Sequence, residues 1–213
     1  MIRAYDEEYV ALAQRILGDA FDFAVLTVGV EADYFADLFI TSLSARQFEK
    51  GNPAYVAGIT GCELVRRVYE QHHMDIGDVE DVMYADKSPE YWGGYSLAFY
   101  QWYIGETFER ILRAISMKEI IKMYPTFHEM DILQFVDAMN DRMRSVYPLT
   151  CLQERRKISG MSQRELAKVS GVSVRQIQML EQRQRDINKT QAETIMKLSK
   201  ALHCRMEDLL EKL

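Results

Sequence analysis

The chain has 213 residues, with 26 Lys+Arg against 32 Asp+Glu, a formal net charge of −6 and 48% hydrophobic residues. That balance excludes a disordered chain, and the length suffices for one large domain or two smaller ones, each with its own core. There is no run of about 18 or more apolar residues and no apolar stretch behind Arg3 in "MIRAYDEEYV", so neither a membrane span nor a secretory signal is expected. The cysteines Cys62, Cys151 and Cys204 are odd in number and far apart, which suits reduced thiols in a cytoplasm.

The helical period runs through the first part of the chain. "EEYVALAQRILGDAFDFAVLTVG" repeats apolar residues at Val10, Ala13, Ile16, Leu17, Ala20, Phe21 and Ala24. "EADYFADLFITSLSARQFEKGN" reads as a second helix, "GNP" at 51–53 as a break, and "TGCELVRRVYEQ" as a helix capped by Thr60. "HHMDIGDVEDVMYADKSPE" is acidic and poorly periodic, so a long surface loop is expected there. Ser88-Pro89 starts the helix "EYWGGYSLAFYQWYIG", Ser116 with Glu119 forms a capping box for "MKEIIKMY", and a last helix covers about Glu129 to Ser145. No strand-like alternation is long enough to matter, so the fold class is all-α: an N-terminal helical bundle domain followed by a five-helix C-terminal domain.

"YWGGYSLAFYQWY" holds seven aromatics in thirteen residues. Tyr91, Trp92, Tyr95, Tyr100 and Trp102 are candidates for a partner or ligand surface, because large apolar bodies with polar tips suit such surfaces. The helical spacing favours the other reading, an aromatic-rich core of a helical bundle. Gly93 and Gly94 lower helix propensity and are expected to permit close packing against another helix.

Catalytic chemistry finds little support. "HEMDI" at 128–132 lacks the second histidine of a zinc-protease helix, and "GITG" at 58–61 lacks the lysine and spacing of a phosphate loop. Adjacent His72 and His73 cannot share a helical face and read as a surface pair. Pairs such as Glu7/Glu8 read as solvated faces. The expectation is no catalytic residue, no metal, no cofactor and no enzyme.

Charge is segregated along the chain. Residues 149–213 carry 13 Lys+Arg against 8 Asp+Glu, leaving 13 basic and 24 acidic residues for 1–148. This is the pattern of a chain in which only one domain approaches phosphates. In that basic part, Leu149–Lys157 reads as a helix after Pro148, and Ser162 with Glu165 forms a capping box. The second helix runs to about Ser170 with Leu166, Ala167 and Val169 inward, and Gly171 ends it in the left-handed conformation. Ser173 caps a third helix with Ile177 and Leu180 inward. A fourth runs from about Thr190 to Leu202, and "MEDLLEKL" forms a short fifth.

"MSQRELAKVSGVSVRQIQMLE", followed by "IMKLSKAL" and "MEDLL", resembles the lambda-type repressor and Cro family of helix-turn-helix proteins over residues 149–213. The resemblance implies that the third helix enters the major groove and presents Ser173, Val174, Arg175, Gln176, Gln178 and Met179 to base edges. Arg175 would pair with guanine and Gln176 or Gln178 with adenine. Gln163, Arg183, Arg185 and Lys189 would contact phosphates. Arg156 and Glu181 match positions of a buried ion pair in that family, Arg156 being open also to a phosphate contact. The sequence departs from the family where a glycine is common, at Arg183 and His203, and in a longer loop before the fourth helix. "KGNPAYVAGITGCELV" and "SPEYWGGYSLAFYQWYIGETF" resemble uncharacterised helical domains of predicted Gram-positive regulators.

The expected function is a DNA-binding transcriptional regulator, a repressor acting as a homodimer on double-stranded DNA with a pseudo-palindromic operator. The expected domains are 1–146, for dimerisation, sensing or partner binding, and 149–213, for DNA. An antitoxin whose acidic domain neutralises a toxin partner, or a regulator taking a small-molecule effector there, needs the same DNA-binding end.

Overall fold

The computed structural model describes residues 3–211, and every regular element among them is helical. The chain forms two compact units, one ending at Val146 and the other beginning at Tyr147. Among the described residues no helix is long and apolar enough to cross a membrane.

The first unit contains α1 (Val10–Asp22), α2 (Ala32–Thr41), α3 (Leu43–Glu49), α4 (Pro53–Val56), α5 (Gly61–Gln71), α6 (Pro89–Ile104), α7 (Phe108–Ala114), α8 (Met117–Lys122), α9 (Tyr124–Phe127) and α10 (Ile132–Val146). α1 ends by widening into a π-helical turn, Phe23–Thr27, in which the Val28 N–H donates to the Phe23 carbonyl at 3.0 Å. The core is a run of edge-to-face phenylalanine contacts: Phe21–Phe35 at 5.1 Å, Phe39–Phe108 at 5.0 Å and Phe48–Phe108 at 5.7 Å.

α1 packs chiefly on α6 and α5. Its contact with α6 is backbone-close because Gly94 has no side chain: a Cβ there would sit 2.4 Å from the Leu17 carbonyl oxygen. Gly18 of α1 faces the Tyr91 ring in the same way, at 2.8 Å. A third tie is Asp22, almost fully buried at the end of α1. Its Oδ1 accepts from the Ser88 hydroxyl and from the Tyr91 N–H at 3.1 Å, so α1 helps to cap α6.

Several expectations need correction. The stretch 31–52 is two helices, because Ser42 is extended (φ −78°, ψ 160°), donates to the Phe39 carbonyl and accepts from the Ala45 N–H. One buried hydroxyl thus closes α2 and opens α3. α7 was not expected; it follows Gly105, which ends α6 at φ 67°, and starts at the Thr107 cap. The last helix starts at Ile132 rather than Glu129. The loop 72–88 is helix-free, but it is pinned: Arg66 bonds Asp81 at 2.8 Å and Tyr84 bonds Thr27 at 2.8 Å. His72 and His73 both reach the surface but in different settings. His72 is half-buried, donating from Nδ1 to the Val68 carbonyl at 2.8 Å, while exposed His73 takes φ 57°.

Tyr100 and Trp102 belong to the interior, not to a surface. Tyr100 is fully buried with its hydroxyl donating to Asn140 Oδ1 at 3.0 Å, and buried Trp102 donates from Nε1 to the Tyr5 carbonyl at 2.8 Å. Desolvation pushes the Tyr100 hydroxyl well above the ordinary tyrosine pKa. Tyr91, Trp92 and Tyr95 are half-buried.

The second unit contains α11 (Cys151–Ile158), α12 (Gln163–Ser170), α13 (Val174–Glu181) and α14 (Ala192–Ala201), with single 3-10 turns at Ile187–Lys189 and Met206–Leu209. Its core joins Leu152, Leu166, Ile177, Leu180, Ile195, Leu198 and Leu209. Among the described residues the expected fifth helix is a 3-10 turn, its last two residues, 212 and 213, lying outside them, and Thr150, accepting from the Gln153 N–H, replaces Pro148 as the start signal of α11. Val169, expected inward, is 62% exposed: the buried line of α12 runs from Leu166 to Ser170, one turn apart, which leaves Val169 outside.

Candidate nucleic-acid interface

Local signals build the two helices of the candidate site. The Ser162 hydroxyl accepts from the Glu165 N–H at 3.2 Å while the Glu165 carboxylate accepts from the Ser162 N–H at 2.7 Å, closing the capping box. These bonds hold the Glu165 carboxyl below its usual pKa. Gly171 ends α12 at φ 71°, and Ser173 caps α13 by accepting from the Gln176 N–H.

A buried carboxylate then sets the angle between helices. Glu181, at the end of α13, accepts from Arg156 Nε at 2.6 Å and Nη2 at 2.8 Å, both side chains being almost fully buried. It also accepts from Gln163 Nε2 at 2.8 Å. One carboxylate thus ties α11, α12 and α13 together, and the ion pair implied by the sequence resemblance is present. The Glu181 hydrogen bonds raise the Arg156 pKa further above its ordinary value. A phosphate contact is not open to this guanidinium, which also donates to the Met161 carbonyl at 2.8 Å.

With α13 fixed by Ile177 and Leu180, its outer face carries the sequence-derived candidates. Ser173, Arg175 and Gln178 are exposed; Val174, Gln176 and Met179 are half-buried. Arg175 makes no hydrogen bond or ion pair among the described residues, so its five donors stand open. Gln178 Nε2 lies 3.4 Å from Gln163 Oε1, which brings the start of α12 beside the middle of α13. Exposed Arg164, which the sequence reading passed over, stands next to Gln163 at that helix start.

The four phosphate candidates do not behave alike. Arg185 and Lys189 are exposed, Lys189 lying 3.7 Å from Asp186. Gln163 is half-buried and oriented by Glu181. Arg183 is engaged elsewhere: its guanidinium donates to the Pro148 carbonyl at 2.9 Å and lies 3.6 Å from Glu211. Its backbone takes φ 54°, the conformation for which glycine is usual, as His203 does at φ 51°. Glu211 also accepts from the Cys151 N–H at 2.6 Å. No local pattern signals these contacts, since they join residues from opposite ends of the unit.

Among the described residues no group of three His, Cys, Asp or Glu is placed to hold a metal ion. The arrangement as a whole is two crossed helices with a glycine turn and an open basic and amide face. Residues 152–209 match the helix-turn-helix family, here of the lambda-repressor type, and this identifies the second unit as a helix-turn-helix domain. The match supports a DNA-binding transcription regulator. No curated protein and no solved structure matched the chain.

Proposed function

We propose that this helix-turn-helix chain is a sequence-specific transcriptional repressor that binds a pseudo-palindromic operator as a homodimer. The observation that carries the reading is the outer face of α13, where Arg175 stands exposed and unpaired between exposed Ser173 and Gln178. Arg175 reads guanine through a bidentate contact, Gln176 or Gln178 reads adenine, and Ser173, Val174 and Met179 complete the base-facing set. Gln163, Arg185 and Lys189 hold phosphates and set the register of the helix in the groove. Because one recognition helix covers only a few base pairs, two copies are needed for affinity and specificity. The acidic residues 1–146 supply the dimerising or sensing part, kept off DNA by their own charge.

The test is binding of the full-length protein to the DNA upstream of its own gene across a salt series, beside Arg175→Ala. Specific readout costs the variant about 1–3 kcal/mol on the operator and far less on unrelated DNA. Equally weak binding of both proteins to every sequence would overturn the reading.

A further inference from the structure

The loop joining α13 to α14, residues 182–191, carries Arg185 and Lys189, both exposed. A loop of that length has many conformations in water, and fixing one of them costs entropy. Anchors of different kinds fix this one. The Arg185 N–H donates to the Met179 carbonyl at 3.1 Å, which ties the loop back to α13. Ile187, 4% exposed, packs into the hydrophobic core of the unit. Asp186 accepts from the Asn188 N–H at 2.9 Å and so opens the 3-10 turn of Ile187–Lys189.

Asn188 adds an anchor that uses both ends of its side-chain amide. Nδ2 donates to the Glu211 carbonyl at 2.5 Å, and Oδ1 accepts from the Glu211 N–H at 3.0 Å. This pairing also settles which way the amide points, since a carbonyl only accepts and an N–H only donates. Glu211 is itself tied down: its carboxylate accepts from the Cys151 N–H at 2.6 Å and lies 3.6 Å from the Arg183 guanidinium. Asn188 thus fastens the loop, through Glu211, to the start of α11. Arg185 and Lys189 flank that clasp in the chain. A cation on a mobile loop has to be ordered as it binds, whereas one on a fastened loop is ordered beforehand. We propose that Asn188 is a positioning residue for DNA: its clasp on Glu211 holds Arg185 and Lys189 ready for phosphates. The inference rests on the operator reading in one respect, that these two cations meet the DNA backbone.

The experiment measures the affinity of the full-length protein for an unrelated DNA duplex at low salt, where phosphate contacts set the binding. Wild type, Asn188→Ala, the double variant Arg185→Ala/Lys189→Ala and the triple variant are compared, each well below its own melting temperature. Asn188→Ala is expected to raise the Kd roughly 2–12-fold, the cost of ordering one long side chain on binding. In the background lacking Arg185 and Lys189, the same substitution should change the Kd by less than about 2-fold. An asparagine with a structural role alone would lower the melting temperature and leave the Kd unchanged, or would weaken binding equally in both backgrounds. Either result overturns the proposal. It is overturned as well if removing Arg185 and Lys189 leaves the Kd at its wild-type value, since there is then no contact to position. The operator reading is judged separately, by whether Arg175→Ala loses sequence preference on the upstream DNA.

Discussion

Glu181 is buried, and yet it holds a formal charge against three donors from two other helices. Its removal leaves the Arg156 guanidinium buried without a counter-ion, so Glu181→Ala is expected to destabilise the second unit by about 3–5 kcal/mol. Thermal unfolding of the variant followed on that unit checks this, and a loss below about 1 kcal/mol, the scale of an exposed pair, would show the site to be wetter than its burial implies. Asp22 presents the opposite case. Burial raises its pKa despite the bonds from Ser88 and Tyr91 and the nearby Lys87, and its Oδ2 has no partner. A carboxyl raised in the folded state contributes its full stability below the unfolded pKa and loses it as the pH rises through the folded one. Asp22→Asn keeps an acceptor for α6 and removes that loss. Its melting temperature should therefore exceed wild type near neutral pH, with the advantage vanishing in acid; a difference independent of pH would contradict the assignment.

Between elements, the closest approach is α1 on α6, and it depends on absent side chains. Gly94→Ala would drive a methyl group into the rigid Leu17 carbonyl, whereas Gly93→Ala meets the movable side chains of Met117 and Ile121. Overpacking of this kind costs about 1–3 kcal/mol, so Gly94→Ala should fall in that range and Gly93→Ala below it in denaturant titrations. The reverse order would mean that the helices can part freely. The same distinction explains what was legible in the sequence. Both capping boxes and the Ser88-Pro89 and Gly171 boundaries are written within four residues of chain, and the structure has each of them. The break at Ser42 was not legible, because a serine within a helical pattern starts a new helix only when burial forces its hydroxyl onto the backbone. Tyr100 and Trp102 could not be sorted from Trp92 and Tyr95 by spacing, since their partners Asn140 and Tyr5 lie far along the chain. On α13 the period alone separates buried Ile177 and Leu180 from the outer face, so the exposure of Ser173, Arg175 and Gln178 was readable. The Arg183 contacts to Pro148 and Glu211 were not, because nothing local encodes them.

Over the whole molecule, the charge division has a geometric corollary. If two basic units read one operator, footprinting should show two protected half-sites about 10–10.5 base pairs apart, centre to centre, or a multiple of that spacing. One isolated protected half-site would defeat the dimeric arrangement. The affinity should also fall steeply with added salt, because the phosphate contacts release counter-ions. Arg183 joins two parts of the second unit that are far apart in the chain. Its guanidinium grips the carbonyl of Pro148, just where the chain enters the second unit, while its own backbone is the step off the end of α13. The end of α13 is therefore tied to the start of the second unit through polar contacts of one side chain, alongside the hydrophobic core rather than through it.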